Sequence, residues 1–66
     1  MLPSIGQTIE LLQMDNDPNP ITIGTKGKVT GINNMPDPVE KQIVVDWENG
    51  RTLMLLYPFD KFRVVS

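Results

Sequence analysis

Short runs of alternating apolar and polar residues, separated by glycine and proline, make up most of the chain. In the first run, Gln7 to Met14, Ile9 and Leu11 fall on one side and mostly polar residues on the other. An alternation with a period of two indicates a half-buried β-strand. Four later runs of similar length predict four further strands: Gly27 to Ile32, Gln42 to Trp47, Arg51 to Leu56 and Phe62 to Val65.

The residues between the runs favour tight corners, and those of the first loop exclude a helix. Pro18 and Pro20 remove backbone donors from the loop Asp15 to Thr25, and each holds the residue before it extended. Gly31, inside the second run, indicates a bulge or a close approach of two backbones. The turn at Pro58-Asp60 suits a short 3₁₀ helix, because proline fits the first helical position. This pattern predicts an all-β protein, a small closed or nearly closed barrel of five strands in one domain.

The loop between the third and fourth runs decides which side chains share a face. A two-residue turn through Asn49-Gly50 would pair Val45 with Met54, whereas a three-residue loop, Glu48 to Gly50, would pair Val45 with Leu53. A shift of one residue moves every side chain to the other face. We favour the three-residue loop because it gathers five large apolar residues on one face: Ile43, Val45, Trp47, Leu53 and Leu55. The outer face then carries three others: Val44, Met54 and Leu56.

The amino-acid composition excludes most kinds of catalytic and metal-binding chemistry. The 66 residues include no cysteine and no histidine, which excludes disulfides, thiolate chemistry and zinc sites built on sulfur or imidazole. Asp46 and Glu48 lie two apart on one strand face, but an outer barrel face offers no pocket in which two carboxylates would take different roles. The glycines of GTKGKVTGI lack the spacing and the following helix of a phosphate-binding loop. We therefore expect that the protein is not an enzyme and holds no cofactor.

The stretch DNDPNP after the first run resembles the start of a calcium loop, with Asp15, Asp17 and Asn19 at alternate positions. An EF-hand loop has glycine next and a glutamate at its twelfth position, where this chain has Pro20 and Lys26. Side-chain hydrogen bonds of a turn and the stiffness of two prolines account for every residue of the stretch. We expect a corner between strands and no metal site.

Charge and hydropathy bear on partners and compartment. The net charge is -2 and the six basic residues are spread among eight acids, whereas a dedicated nucleic-acid binder usually carries a basic face. The start MLPSIGQTIELL lacks the basic end and the long apolar run of a signal peptide. No stretch approaches the ~20 apolar residues of a membrane span. We expect a cytoplasmic protein without a membrane partner.

Three stretches carry a resemblance to known barrels: GQTIELL, GTKGKVTGI and QIVVDWENG. Their order is similar to that of the Src-homology-3-like (SH3-like) barrels, in particular the Kyrpides-Ouzounis-Woese type of transcription-elongation and ribosomal proteins. The chain more closely resembles a family of short bacterial and phage proteins of unknown function. That family has a G-T-x-G-x-V-x-G-[IV] stretch, a W-[DE]-N-G hairpin, a leucine pair and a closing D-x-F-R-V. The matching residues here are Gly24 to Ile32, Trp47 to Gly50, Leu53 with Leu55, and Asp60 to Val64.

The resemblance implies a single SH3-like barrel domain over residues 1–66, encoded by a bacterium, a phage or another mobile element. It implies no activity. The chain lacks the ALYDY-type aromatic cluster of the peptide-binding SH3 domains, so we expect no polyproline groove.

Two surfaces remain as candidates for binding. The first is an apolar strip, interpreted as a protein interface or a homo-oligomer contact: Val44, Met54, Leu56, Tyr57 and Phe59. Alternatively, the loop Asp15 to Thr25, with Ile21 and Ile23, folds over this strip and covers it. The second surface would contact nucleic acid or the ribosome through a small cationic spot: Lys26, Lys28 and Arg51. We expect a protein-binding module first and nucleic-acid binding second, while size and charge alone would also suit an acidic inhibitor or mimic.

Overall fold

The computed structural model describes residues 2–14, 18–37 and 39–66, which fold into one antiparallel sheet. Its five strands are β1 (Thr8–Gln13), β2 (Lys26–Asn34), β3 (Lys41–Trp47), β4 (Thr52–Tyr57) and β5 (Lys61–Val64). Their order across the sheet is β4-β3-β2-β1-β5, so the last strand lies beside the first. Each predicted strand is present with ends shifted by at most two residues, and the all-β class is confirmed. Within these residues, no helix has the length and apolar character to cross a membrane.

The β3–β4 hairpin has the register of the three-residue loop. Val45 pairs with Leu53. Gly50 has a φ of 88°, the left-handed conformation that ends such a loop, and its N–H donates to Trp47 O at 3.0 Å. Trp47 N–H in turn donates to Arg51 O at 2.8 Å. The five apolar residues expected on one face therefore share the inner face: Ile43, Val45, Trp47, Leu53 and Leu55.

One hydrophobic cluster fills the inner side of the sheet. Its buried members are Ile9, Leu11, Met14, Ile21, Val29, Ile43, Val45, Trp47 and Leu55. The ring centroids of Tyr57 on β4 and Phe62 on β5 are 6.5 Å apart. In a flat sheet these two edge strands would be roughly 19 Å apart, which is four spacings of about 4.8 Å. The sheet therefore curls into a barrel-like shape, although its ladder stays open between β4 and β5 in the described part of the chain.

Two glycines of β2 differ in their surroundings. A Cβ added at Gly27 would lie 2.5 Å from Val45 Cγ1 and 2.8 Å from Trp47 Cε3, so the core leaves no room for a side chain there. At Gly31 the nearest atom would be Val44 Cγ2 at 3.6 Å, an ordinary contact. The ladder with β3 shifts register immediately before Gly31, which confirms the predicted bulge.

The turn between β4 and β5 is not the 3₁₀ helix that the sequence predicts. The Tyr57-Pro58 peptide bond is cis, and Asp60 N–H donates to Leu56 O at 2.9 Å. That bond joins residues four apart, whereas a 3₁₀ helix needs bonds between residues three apart. The Asp60 carboxylate accepts a second bond, from Leu56 N–H to Oδ2 at 2.8 Å. Residues 58–60 therefore form a tight turn that Asp60 fastens to the end of β4.

The loop between β1 and β2 contributes to the core. Ile21 is buried in the hydrophobic cluster, whereas Ile23 is 67% exposed. Gly24 N–H donates to Leu11 O at 2.8 Å, which ties the end of the loop back to β1. Asp15 to Asp17 lie outside the described residues.

Candidate functional site

The outer face of the sheet divides into two halves of different chemistry. The charged half consists of ionic residues on β5, β1, β2 and the end of β3: Arg63, Glu10, Lys26, Lys28, Asp46 and Glu48. The apolar half lies on β3 and β4: Val44, Met54 and Leu56. All of these side chains point away from the core, because side chains alternate between the two faces along a strand.

Opposite charges meet across the strands of the charged half. Arg63 Nε donates to Glu10 Oε1 at 2.6 Å, and Glu10 pairs with Lys26 on β2. Lys26 N–H donates to Glu48 Oε1 at 3.3 Å, which brings a second acid beside this row. The charges of this row alternate, positive, negative, positive, negative, and opposite charges on neighbouring strands are the favourable arrangement.

A second row continues the same pattern. Lys28 pairs with Asp46, and Asp46 Oδ1 accepts a hydrogen bond from Thr52 Oγ1 at 2.6 Å. The hydroxyl of Thr52 turns the Asp46 carboxylate toward β4. Together the two rows carry three cations and three anions, so the charged half as a whole is neutral.

The predicted cationic spot is not gathered in one place. Lys26 and Lys28 are exposed and line one open depression of about 310 Å³, but each has an acid as a cross-strand neighbour. Arg51 does not line it, and its Nη1 donates to Asn19 O at 2.8 Å. Contact with nucleic acid through these three residues stays a prediction, and nothing in the arrangement of the described residues favours it.

The carboxylate pair Asp46 and Glu48 lines the same open depression, with Thr8 and the two lysines. Among the described residues, no three acidic side chains lie together in a way that could hold a metal ion. Asp15 and Asp17 of the calcium-like stretch are not among these residues, so the expected lack of a metal stays a prediction. The same holds for the expected lack of catalysis.

The apolar half is a contiguous patch on the outer face. Val44 pairs with Met54, and Leu56 lies two residues further along β4. Met54 is 48% exposed, and the other two are half-buried. On its other side Val44 pairs with Gly31, which has no side chain to cover it.

The other two residues of the predicted strip lie elsewhere. Tyr57 follows Leu56 on β4 and therefore points to the inner face, where it packs against the core beside Phe62. Phe59 is 53% exposed in the turn after β4. Neither described isoleucine of the β1–β2 loop covers the apolar half, because Ile21 enters the core and Ile23 is exposed.

Sequence reasoning missed the pairing of the charges. No local pattern shows that β1 lies between β2 and β5, and this order is what places Glu10 between Arg63 and Lys26. The sequence contains only part of the information for this pairing, namely ionic residues at alternate positions on the polar faces of the predicted strands. The buried indole was predicted, but not the hydrogen bond from Trp47 Nε1 to Leu53 O at 3.1 Å.

The fold and its surfaces define a small all-β domain with one curled, five-stranded sheet, one core, and an outer face that is partly charged and partly apolar. The chain belongs to the family described as "Domain of unknown function (DUF4314)", whose model matches residues 3–65. A comparison with curated proteins found no match, and neither did a comparison with solved structures.

Proposed function

We propose that this domain is a non-catalytic SH3-like barrel that binds another protein through the apolar half of its outer face. The barrel assignment is supported by the long first loop, the tight β3–β4 hairpin, the short turn before β5 and the curl of the sheet. The motif resemblance is the support for a bacterial, phage or mobile-element origin, and with it for action in the cytoplasm.

The observation that carries the binding role is the exposure of Met54 beside Val44 and Leu56. Single exposed apolar residues are common on soluble proteins, but adjacent ones that form a patch mark interaction sites. Methionine also adapts its shape to a partner, because its side chain is unbranched and polarizable.

The charged half is a less suitable binding surface than the apolar half. Arg63 and Glu10 already form an ion pair there, and the remaining cations and anions alternate across the strands, so this half presents no surface of a single charge. At the apolar half a partner removes apolar surface from water without breaking any such pair.

Met54→Asp tests the proposal, and Ile5→Asp is its matched control. Both positions are exposed apolar residues, and Ile5 lies in the turn before β1, a strand that is next to β2 and β5 and not to β3 or β4. We expect both variants to keep the wild-type melting temperature within a few degrees, because neither side chain belongs to the core.

The readout is site-specific photo-crosslinking in the source cell. A crosslinker placed at position 54 is expected to capture a defined protein, and one placed at position 5 is not. The same protein should be lost from affinity capture with Met54→Asp and retained with Ile5→Asp. If the two positions crosslink alike, or if both aspartate variants retain the same proteins, the apolar half is not the binding surface.

A further inference from the structure

The outer edge of β4 leaves some backbone groups unpaired. Hydrogen-bonded pairs alternate along an antiparallel ladder, and the bond from Trp47 N–H to Arg51 O fixes the phase for β3 and β4. The next hydrogen-bonded pair is Val45 with Leu53, two residues further along each strand. The backbone groups of Thr52 and of every second residue after it therefore point away from β3.

The far end of this edge is already closed. Both backbone groups of Leu56 bond to Asp60, its N–H to the carboxylate at 2.8 Å and its carbonyl to the Asp60 N–H at 2.9 Å. These bonds also confirm the phase of the ladder. Within the described residues, the outward N–H and C=O groups of Thr52 and Met54 have no such partner.

The two edges of the sheet are protected to different degrees. Exposed edges are commonly guarded by short strands and by charged side chains. β5 has four residues, and Lys61 and Arg63 are two of them. β4 has six residues, none charged, and the unpaired section carries the exposed side chain of Met54. Of these two edges, β4 is the one fit to receive another strand.

We propose that the protein partner supplies an extended segment that pairs antiparallel with β4 at Thr52 and Met54, as a sixth strand. This inference rests on the proposed function and specifies the partner of the same surface. Such a segment satisfies all four free backbone groups, and its side chains alternate between the two faces of the sheet. The residue opposite Met54 lies on the outer face and is apolar, because it extends the apolar half.

Charge complementarity specifies the residue opposite Thr52. The Asp46 carboxylate is turned toward β4 by its bond to Thr52 Oγ1 at 2.6 Å, and Glu48 is exposed beyond it. A lysine or arginine opposite Thr52 lies on the same face and can extend its long side chain over the threonine toward Asp46. Read from its N-terminus, the segment therefore has the order apolar, any residue, basic.

A second copy of this chain fits the edge less well than a bare segment. A symmetric β4–β4 pairing that joins Thr52 to Met54 of the other copy also sets Gly50, at the end of the hairpin loop, opposite Leu56. The turn at residues 58–60 is bonded to Leu56 there, so it stands where the hairpin of the second copy would lie. A short segment can end before this turn.

The test uses the synthetic hexapeptide acetyl-TVLTKT-amide, in which the leucine is opposite Met54 and the lysine opposite Thr52. Nuclear magnetic resonance titration of the full chain is expected to shift the amides of Thr52 and Met54 and the Met54 methyl, with saturation in the millimolar range. Such weak binding is expected because the contact is far smaller than the ~1,200 Å² of stable interfaces.

Two methylated peptides separate strand addition from simple contact with the face. An N-methyl group on the peptide leucine removes a ladder hydrogen bond, and we expect affinity to fall at least tenfold. The matched control carries the N-methyl group on the threonine between leucine and lysine, whose N–H points away from β4, and we expect it to bind like the parent. Exchanging the peptide lysine for glutamate should weaken binding to the wild type much more than to Asp46→Asn.

Each other outcome has a definite meaning. If all peptides shift the Met54 methyl equally, whatever their methylation, strand addition is wrong and binding to the apolar half stands. If no peptide binds while the crosslinking at position 54 succeeds, the partner is not an extended segment. If the free protein dimerises in sedimentation and its Thr52 and Met54 amides become protected, the occupant is a second copy, which also overturns the proposal.

Discussion

The charged and apolar halves of the outer face share strand β3 and one core, yet they differ in how completely their groups are paired. In the charged half, Glu10 lies between Arg63 and Lys26. In the apolar half, Met54 has Val44 on one side and no strand of the described sheet on the other. The difference follows from the strand order: the charged half spans neighbouring strands, whereas the apolar half ends at the β4 edge of the described sheet.

The same core lies beneath both halves of the outer face, and Leu55→Ala tests how much this core contributes to stability. Leu55 is 1% exposed and packs in the cluster, so we expect a loss of about 2–5 kcal/mol in the free energy of unfolding. Met54→Ala, one residue away on the opposite face, is the matched control and should cost about 0.5 kcal/mol or less. Urea denaturation followed by the fluorescence of the single tryptophan measures both. Equal losses would contradict the division of β4 into a buried and an open face.

The two glycines of β2 lie behind different parts of the outer face. Gly27 lies between the two lysines of the charged half and faces the core, whereas Gly31 is next to Val44 of the apolar half. Gly27→Ala would press a Cβ against Val45 and Trp47, at 2.5 and 2.8 Å, and we expect a loss of about 1–3 kcal/mol from overpacking. Gly31→Ala meets only an ordinary contact with Val44 and should be close to neutral. Thermal unfolding by circular dichroism measures the two variants. A Gly31→Ala variant as unstable as Gly27→Ala would show that the bulge, not the core, demands glycine.

Asp60→Ala tests whether the bonds of Asp60 to Leu56 end the unpaired section of the β4 edge. It leaves the Leu56 N–H without its acceptor, at an expected cost of about 1–2 kcal/mol. Asp37→Ala is the control, because Asp37 accepts a similar bond from Val39 N–H at 2.9 Å in an exposed turn, where water can replace it. Hydrogen exchange of the Leu56 amide should accelerate only in Asp60→Ala. An unchanged exchange rate would mean that the turn does not close the end of β4.

Arg63→Met is expected to have the smallest effect. The arginine side chain is 62% exposed, so its pair with Glu10 should contribute only about 0.2–1 kcal/mol. A double-mutant cycle with Glu10→Gln isolates this coupling, which should vanish in about 1 M salt because the Debye length falls to ~3 Å. Coupling that persists at high salt would show that the charged half contributes to the fold and is not merely compensated surface.

The strands, the hairpin register and most of the core follow from local patterns in the sequence. Alternation places Ile9 and Leu11 on one face, and the spacing around Gly50 selects the loop that puts Leu53 and Leu55 together. The contribution of Ile21 to the core was not predicted, because a loop with two prolines has no periodicity that marks an inward side chain. The 3₁₀ turn was wrong because Asp60 bonds to Leu56 through both its backbone and its carboxylate.

The surfaces were less predictable than the core. The three outer apolar residues follow from the hairpin register, but Tyr57 was grouped with them although it is on the inner side of the curled sheet. The curl places Tyr57 beside Phe62, on strands at opposite edges of the sheet, and the alternation within one strand does not reveal it. Likewise, the sequence groups Lys26 and Lys28 as a cationic spot, and only the strand order shows that acids on β1 and β3 are their cross-strand neighbours.

The place of β5 beside β1 has a consequence for how the protein is made. On the ribosome the first strand is synthesised some fifty residues before its last neighbour, so its ladder cannot be completed while the nascent chain is short. Until then Ile9 and Leu11 lack the cover that Phe62 on β5 provides. The sheet should be completed only after β5 has been synthesised, and slowly for its size, because a long loop must be closed before the pairing is gained.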